Sequence, residues 1–200
     1  FSQDRCRIKT FKRSIKKILN ILNIKSFNDY NFLDIGSASG AFLKSIKDFG
    51  FKEKGYEPSK SMVEYGKKNY NVNLSQGSIK DVEETIKYDF ISFWDVLEHV
   101  TDLEETLNKV KKISKKNTIL ILNVPNTDSV ACKLMGYKWP FYLNVHLYYF
   151  NNASIKKILK KYNFELINSF PHFQYLELGY LCFRAKKYLK FFLIIEKIVS

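Results

Sequence analysis

The stretch LDIGSASGAFL, Leu33 to Leu43, constrains this chain more than any other. A short apolar run, two glycines four apart and a helix-period segment in direct succession describe a strand that turns sharply into a helix. Gly36 and Gly40 permit the tight turn, a close approach of backbone to ligand, and a helix N-terminus aimed into the site. Such a turn is the floor of the ligand crevice in a doubly wound parallel sheet, where the crevice lies at the carboxyl ends of the strands.

Elsewhere short β-branched or aromatic runs alternate with helix-period segments, without a repeat, low-complexity tract or Pro/Gly-rich linker. The alternation predicts an α/β fold: a Rossmann-like, doubly wound, mostly parallel sheet in three α/β/α layers. The first helix is predicted over FKRSIKKILNILN, with Ile15, Ile18, Leu19 and Leu22 on one face. Strand one is NFLDI, strand two FKEKGYE, and strand three lies in VNLSQGS; Ser59 caps the helix between the last two. Strand four, YDFISFW, is apolar enough to be buried on both faces. It runs into a helix in which Thr101 and Glu104 have capping-box spacing and Leu103, Leu107, Val110 and Ile113 form a stripe. Strand five is TILILNV, stopped by Pro125. An aromatic stretch then leads to Phe150, a helix starts at Asn151 or Asn152, FELINSF is predicted as strand six, and the tail from Gln174 reads as one or two helices.

With 46% hydrophobic residues, a chain of 200 buries one substantial core. No run approaches the ~18 apolar residues of a membrane span, and the charged N-terminus lacks the centre of a signal peptide, so a soluble cytoplasmic protein is expected. The start at Phe1 rather than Met reads as a trimmed chain. Cys6, Cys132 and Cys182 are widely spaced without a Cys-x-x-Cys pair, and no metal-ligand spacing is visible, so no metal is expected. A net charge of +13 admits nucleic acid or an anionic membrane surface. The excess is Lys, scattered through amphipathic segments such as SIKKILNILNIK and NKVKKISKK, where it sits on solvated helix faces.

A dinucleotide loop reads G-x-G-x-x-G, whereas this one reads G-x-x-x-G with Ala38 in place of the glycine that lets a pyrophosphate approach. Glu57, at the end of strand two, stands where a carboxylate accepts both hydroxyls of a ribose. Ribose recognition without pyrophosphate leaves a nucleoside cofactor, for which S-adenosylmethionine is the obvious candidate.

LDIGSASGAFL, GYEPSKSMVEYGKK, QGSIKDV, YDFISFWDVLEHVTD and ILILNVPN resemble, in order and spacing, the successive motifs of class I S-adenosylmethionine-dependent methyltransferases. The nearest likeness is to the type-11/type-23 group, which includes the ubiquinone-biosynthesis O-methyltransferases, and HLYYFNNASIKKILKKYNFEL is similar to that group's H-L-x-x-F-[ST] entry into the helix before strand six. The resemblance covers roughly Arg13 to Phe170. It implies that Asp34, Gly36, Ser37, Ala38 and Gly40 hold the methionine portion, largely through backbone, and that Glu57 holds the ribose. Pro58 and Ser59 would shape the adenine edge, Ser78 and Ile79 the other side of the base, and Phe93 and Trp94 the surroundings of the sulfonium. The family often has Gly where Ala38 stands and Asp where Ser78 stands.

Methyl transfer from a sulfonium is an in-line displacement, and a hydroxyl acceptor benefits from a base near neutral pKa. His99 and His146 are the candidates; each has a plainer reading as a packing or loop-holding residue. Glu98 reads as a loop-orienting residue and His172 as incidental. Trp139, Phe141, Tyr142, Tyr148 and Tyr149 line either an acceptor pocket or a core. The chain divides into a helical segment (1–29), a cofactor-binding core (30–125), an acceptor-side segment with strand six (126–170) and a helical extension (171–200), all in one domain. The expected acceptor is a small molecule or a sugar or lipid-linked precursor, methylated at oxygen by a monomer or homodimer with peripheral membrane contact open. A nucleic-acid methyltransferase, a nicotinamide dehydrogenase and a non-catalytic cofactor binder are the rival classes.

Overall fold

Parallel strands need crossovers long enough to hold a helix, and the chain supplies them in turn. The computed structural model describes residues 4–25 and 29–175. Helix α1 (Asp4–Ile21) leads to β1 (Asn31–Ile35), α2 (Ala41–Lys47), β2 (Lys52–Glu57), α3 (Lys60–Tyr70) and β3 (Leu74–Gln76). The second half contains β4 (Tyr88–Trp94), α4 (Leu103–Ile113), β5 (Ser114–Asn123), α5 (Val130–Met135) and α6 (Asn152–Lys161). The strands pair in parallel in the order β3-β2-β1-β4-β5. Strand order therefore reverses between β1 and β4, and their carboxyl ends open on the crevice of a doubly wound sheet.

The pleat divides the core into two layers. Phe32 and Phe90 face α1 and α2, packing with Phe11, Ile15, Phe42 and Ile46. Leu33, Ile35, Ile91 and Phe93 face α4 and α6, packing with Val110 and Ile113 and the half-buried Ile155 and Ile158. Strands β1 and β4 coincide with NFLDI and YDFISFW because both are predominantly apolar and bounded by turn chemistry.

Four expectations are corrected. Helix α1 begins at Asp4, well before FKRSIKKILNILN, because Asp4 is buried and accepts hydrogen bonds from Tyr70 Oη (2.6 Å) and Ser39 Oγ (3.3 Å). Helix α4 is capped by Asp102, whose Oδ1 accepts from Glu105 N at 2.8 Å, not by the Thr101–Glu104 pair. FELINSF forms no strand: residues 164–175 run as irregular backbone. Their partners lie on two helices, α6 at the start and α1 beyond: Ser169 Oγ donates to Asn152 Oδ1 at 3.1 Å, His172 Nδ1 is 3.2 Å from Ser14 Oγ, Tyr175 N donates to Thr10 Oγ1 at 2.9 Å, and the Lys17 ammonium lies 3.8 Å from the Phe170 ring. Gln174 and Tyr175, read as the start of a helix, are not helical, and the rest of the expected extension lies outside the described residues. Among the described residues no helix is long and apolar enough to cross a membrane.

Close packing of α2 on β2 rests on Gly55, where an added Cβ would lie 2.5 Å from Leu43 Cδ1, 2.9 Å from Leu74 Cδ1 and against Ser37 Oγ. Gly55→Ala is expected to cost about 1–3 kcal/mol by overpacking, read as a lower denaturant midpoint with an unchanged m-value. An unshifted midpoint would show that the contact yields freely.

Candidate active site

The turn after β1 is tied to the end of β2 by its own backbone. Gly36 N and Ser37 N both donate to Tyr56 O, at 2.8 and 3.1 Å, and Ala38 N donates to Glu57 Oε2 at 2.9 Å. The other Glu57 oxygen accepts from Ser59 N at 3.0 Å, at the start of α3. Gly36 is required here: its φ is +70° and an added Cβ would strike the Val96 side chain. Ala38 is also left-handed, with φ +46°, a conformation that costs a side chain about 1–2 kcal/mol. Three successive amides of the loop are thus already paired, so the loop is not a nest for an anion. A carboxylate forms its lip instead, which favours hydroxyl and cationic groups over phosphate.

Asp34 is buried on the α1 face, where Ser92 Oγ donates to its Oδ1 at 2.6 Å and Ser37 Oγ donates to its carbonyl at 2.9 Å. Burial pushes its carboxyl up to about 7, against the Ser92 hydrogen bond, which lowers it. Gly40 N closes the turn onto Ser37 O at 2.8 Å. Pro58 O accepts from Gln76 Nε2 at 3.3 Å, so the edge formed by Pro58 and Ser59 is held against β3. Ser78 donates to Asp81 Oδ2 through both its amide (2.7 Å) and its hydroxyl (3.0 Å), so its hydroxyl proton is committed. Those hydrogen bonds hold Asp81 below the usual carboxylate range and leave an acidic group at the edge where Ser78 was expected to act alone. Ile79 and Phe93 are buried in the layer facing α4, so Phe93 offers the crevice backbone rather than ring. Trp94 points to the other layer, against Phe11, Phe42 and His172, and its Nε1 is buried without a hydrogen-bond partner among the described residues.

Beyond β4 the backbone turns at Asp95, a left-handed residue (φ +56°) whose Oδ1 accepts from Asn123 Nδ2 at 2.5 Å. The one-turn segment Leu97–His99 follows, and the aromatic stretch is stapled to it. Glu98 O accepts from Leu147 N (2.8 Å) and Tyr148 N (3.2 Å), His99 Nδ1 lies 2.9 Å from Val145 O, and the His99 and His146 rings meet edge to face at 4.6 Å. Burial pushes the Glu98 carboxyl up to about 7 and, with His99 beside it, lowers His146. The two candidate bases, far apart in sequence, are therefore neighbours. Of the aromatic candidates, Trp139 is buried, Tyr148 packs on the core, and Phe141, Tyr142 and Tyr149 are exposed, forming a lip rather than a closed box. A cavity of about 320 Å³ between α4 and α6, lined by Leu107, Tyr148, Ile158 and Tyr162 among others, lies on the far layer from the glycine turn.

Sequence reasoning missed Asp4, Asp81, Asp95 and the position of His172. Asp81 was findable, since Ser78 and Asp81 have capping-box spacing. His172 was not: it reaches the end of β4 only because the chain after α6 turns back across α1.

A model of the methyltransferase domain family matches residues 6–169. Ubiquinone biosynthesis O-methyltransferases from Rickettsia bellii and Pelagibacter ubique are each 27% identical, over 56% and 60% of this chain and 49% and 52% of theirs. The chain thus spans about half the length of the curated relatives it matches. Among solved structures, a SAM-dependent methyltransferase from Thermotoga maritima, described as a possible histamine N-methyltransferase, aligns with a TM-score of 0.61 at 20% identity, over 83% of this chain and 74% of that one. Magnesium protoporphyrin IX methyltransferase from Synechocystis, with bound SAH, aligns with a TM-score of 0.59 at 18% identity, over 87% and 84%. The Rossmann-like sheet expected from the sequence is the fold these structures share.

Because burial raises the Asp34 carboxyl to about 7 in the folded chain, above the ordinary aspartate range, its contribution favours folding below that range and is lost as pH rises through about 7. Asp34→Asn keeps an acceptor for Ser92 and removes the charge. Its stability relative to the parent is expected to be about 2 kcal/mol more favourable at pH 8 than at pH 5. Denaturant unfolding at the two pH values measures this; parallel profiles would mean that Asp34 titrates normally.

Proposed function

We propose that this chain, which belongs to the methyltransferase domain family, transfers a methyl group from S-adenosylmethionine to oxygen of a small-molecule, sugar or lipid-linked acceptor. The observation that carries the reading is the paired state of the glycine turn. With the amides of Gly36, Ser37 and Ala38 already bonded, the crevice has little for a pyrophosphate and much for a nucleoside with a cationic tail. Glu57 keeps lone pairs beyond those used by Ala38 N and Ser59 N, enough to accept both ribose hydroxyls. Asp34 and Asp81 add acidic character near the tail and the base, and Trp94 brings an aromatic group to the end of β4, where a sulfonium benefits from a π face. The names of the curated relatives support oxygen as the acceptor atom.

S-adenosylmethionine supplies an already activated methyl group. The protein's part is to align the acceptor with it, exclude water and remove one proton. The S–CH3 bond breaks as the O–CH3 bond forms, the electron pair stays on sulfur, and the acceptor hydroxyl gives up its proton. We assign that proton to the cluster containing His99 and His146. In this division residues 30–125 serve the cofactor and residues 126–170 the acceptor, within one cytoplasmic domain that meets acceptor or membrane surface through the exposed Phe141, Tyr142 and Tyr149.

Calorimetric titration with S-adenosylhomocysteine, with NAD in parallel, tests the cofactor. Saturable binding of the first alone is expected. Glu57→Ala is expected to weaken it by about 1–3 kcal/mol, roughly 10- to 100-fold, through unpaired ribose hydroxyls and a loosened Ala38. Preferential NAD binding, or an affinity indifferent to Glu57, would overturn the reading.

A further inference from the structure

Among the described residues, three rings meet the indole of Trp94 at the end of β4. Phe11 of α1 and Phe42 of α2 pack on it with centroids 5.2 and 5.1 Å away, as members of the core. The third is polar: the His172 imidazole lies 5.2 Å from the indole with the planes 50° apart. His172 arrives from the chain beyond α6, where Pro171, Phe173 and Gln174 are all exposed and only the imidazole turns inward. Helix α1 pins it there. Ser14 Oγ is 3.2 Å from Nδ1, Thr10 Oγ1 accepts from Tyr175 N at 2.9 Å, and the Lys17 ammonium lies 3.8 Å from the Phe170 ring. Anchors on both sides of His172 thus hold one polar ring against the ligand end of a central strand. Desolvating an imidazole costs free energy that its exposed neighbours avoid, so its place is explained better by a ligand than by packing.

We propose that His172 is a specificity residue for the cofactor: its imidazole and the Trp94 indole form a two-ring corner that receives the sulfonium and discriminates it from the thioether of the product. The proposal rests on the methyltransferase reading, which sets Trp94 beside the sulfonium. A cation is attracted by the face of an aromatic ring, most strongly by indole and most of all when desolvated. An uncharged imidazole extends that surface, whereas a protonated one repels the sulfonium. Burial lowers the His172 pKa, against Asp95, which raises it, so the ring is uncharged at neutral pH. Asp95, in the turn after β4, is itself pushed up by burial and feels His172, Arg7 and His99. The other cations of α1 on this side, Arg13 and Lys17, lie over the Tyr175 and Phe170 rings. Protonation of His172 therefore sets a positive charge beside the sulfonium, and S-adenosylmethionine loses affinity as pH falls below the ordinary histidine range. S-adenosylhomocysteine carries the same nucleoside and amino-acid tail without the charge on sulfur, so groups that act on the shared parts cancel in the ratio of the two affinities.

The full chain is titrated by calorimetry with S-adenosylmethionine and with S-adenosylhomocysteine at pH 5.5 and pH 8, alongside His172→Ala and His172→Phe. At pH 8 the preference for the sulfonium, taken as the ratio of the two Kd values, is expected to fall about three- to tenfold in His172→Ala and to stay within about twofold of the parent in His172→Phe, which keeps a ring. Between pH 8 and pH 5.5 the parent ratio is expected to fall, and that of His172→Phe to fall less because its ring does not titrate. Binding of S-adenosylhomocysteine by the variants shows that the crevice is intact. A ratio unchanged in His172→Ala, or a pH dependence as steep in His172→Phe as in the parent, overturns the proposal and leaves the methyltransferase reading standing. Failure of the parent chain to bind either molecule overturns both.

Discussion

One carboxylate sets the geometry of the crevice. Glu57, at the last residue of β2, accepts the amide of Ala38 from one loop and the amide of Ser59 from the next, so a single side chain fixes two loops and the entry to α3. Ala38 is left-handed, and the hydrogen bond to Glu57 is one of the contacts that offset the strain of its conformation. The neighbouring amides of Gly36 and Ser37 depend on the same strand end through Tyr56 O. A loop held in this way is preorganised against β2, and its polarity toward a ligand is set by the carboxylate and not by backbone amides.

The acidic character of the site contrasts with the chain as a whole. The net charge of +13 comes largely from Lys on exposed helix faces, where ions screen it over about a Debye length. Inside the crevice burial pushes the Asp34 carboxyl up, against the Ser92 hydrogen bond and the nearby Arg7, which lower it. The charge excess therefore describes solubility and long-range encounter, and says little about what the crevice selects.

How much was legible follows from which forces act locally. Strands β1 and β4 were readable to the residue because a central parallel strand is apolar on both faces and its ends are marked by Asn31, Gly36 and Asp95. The glycine turn and Glu57 were readable because their spacing is set by one βαβ unit. The start of α1 was not, since it depends on Tyr70 and Ser39 reaching Asp4 across two other elements. FELINSF has strand composition, but composition does not supply an edge to pair with, and the chain there finds its partners on α6 and α1. Trp94 and Phe93 were read as a pair, whereas the pleat necessarily sends them to opposite layers.

The clustering of Glu98, His99 and His146 is the same lesson at the level of chemistry. Sequence spacing alone brings side chains together when they share one turn or one helix face. Here the distance between them is closed by the aromatic stretch, whose amides at Leu147 and Tyr148 choose the Glu98 carbonyl, so a backbone contact decides where an imidazole goes. The same segment leaves Phe141, Tyr142 and Tyr149 at the surface while it buries Trp139 and Phe150. Delivery of His146 beside the buried Glu98 carboxylate thus follows from one backbone contact.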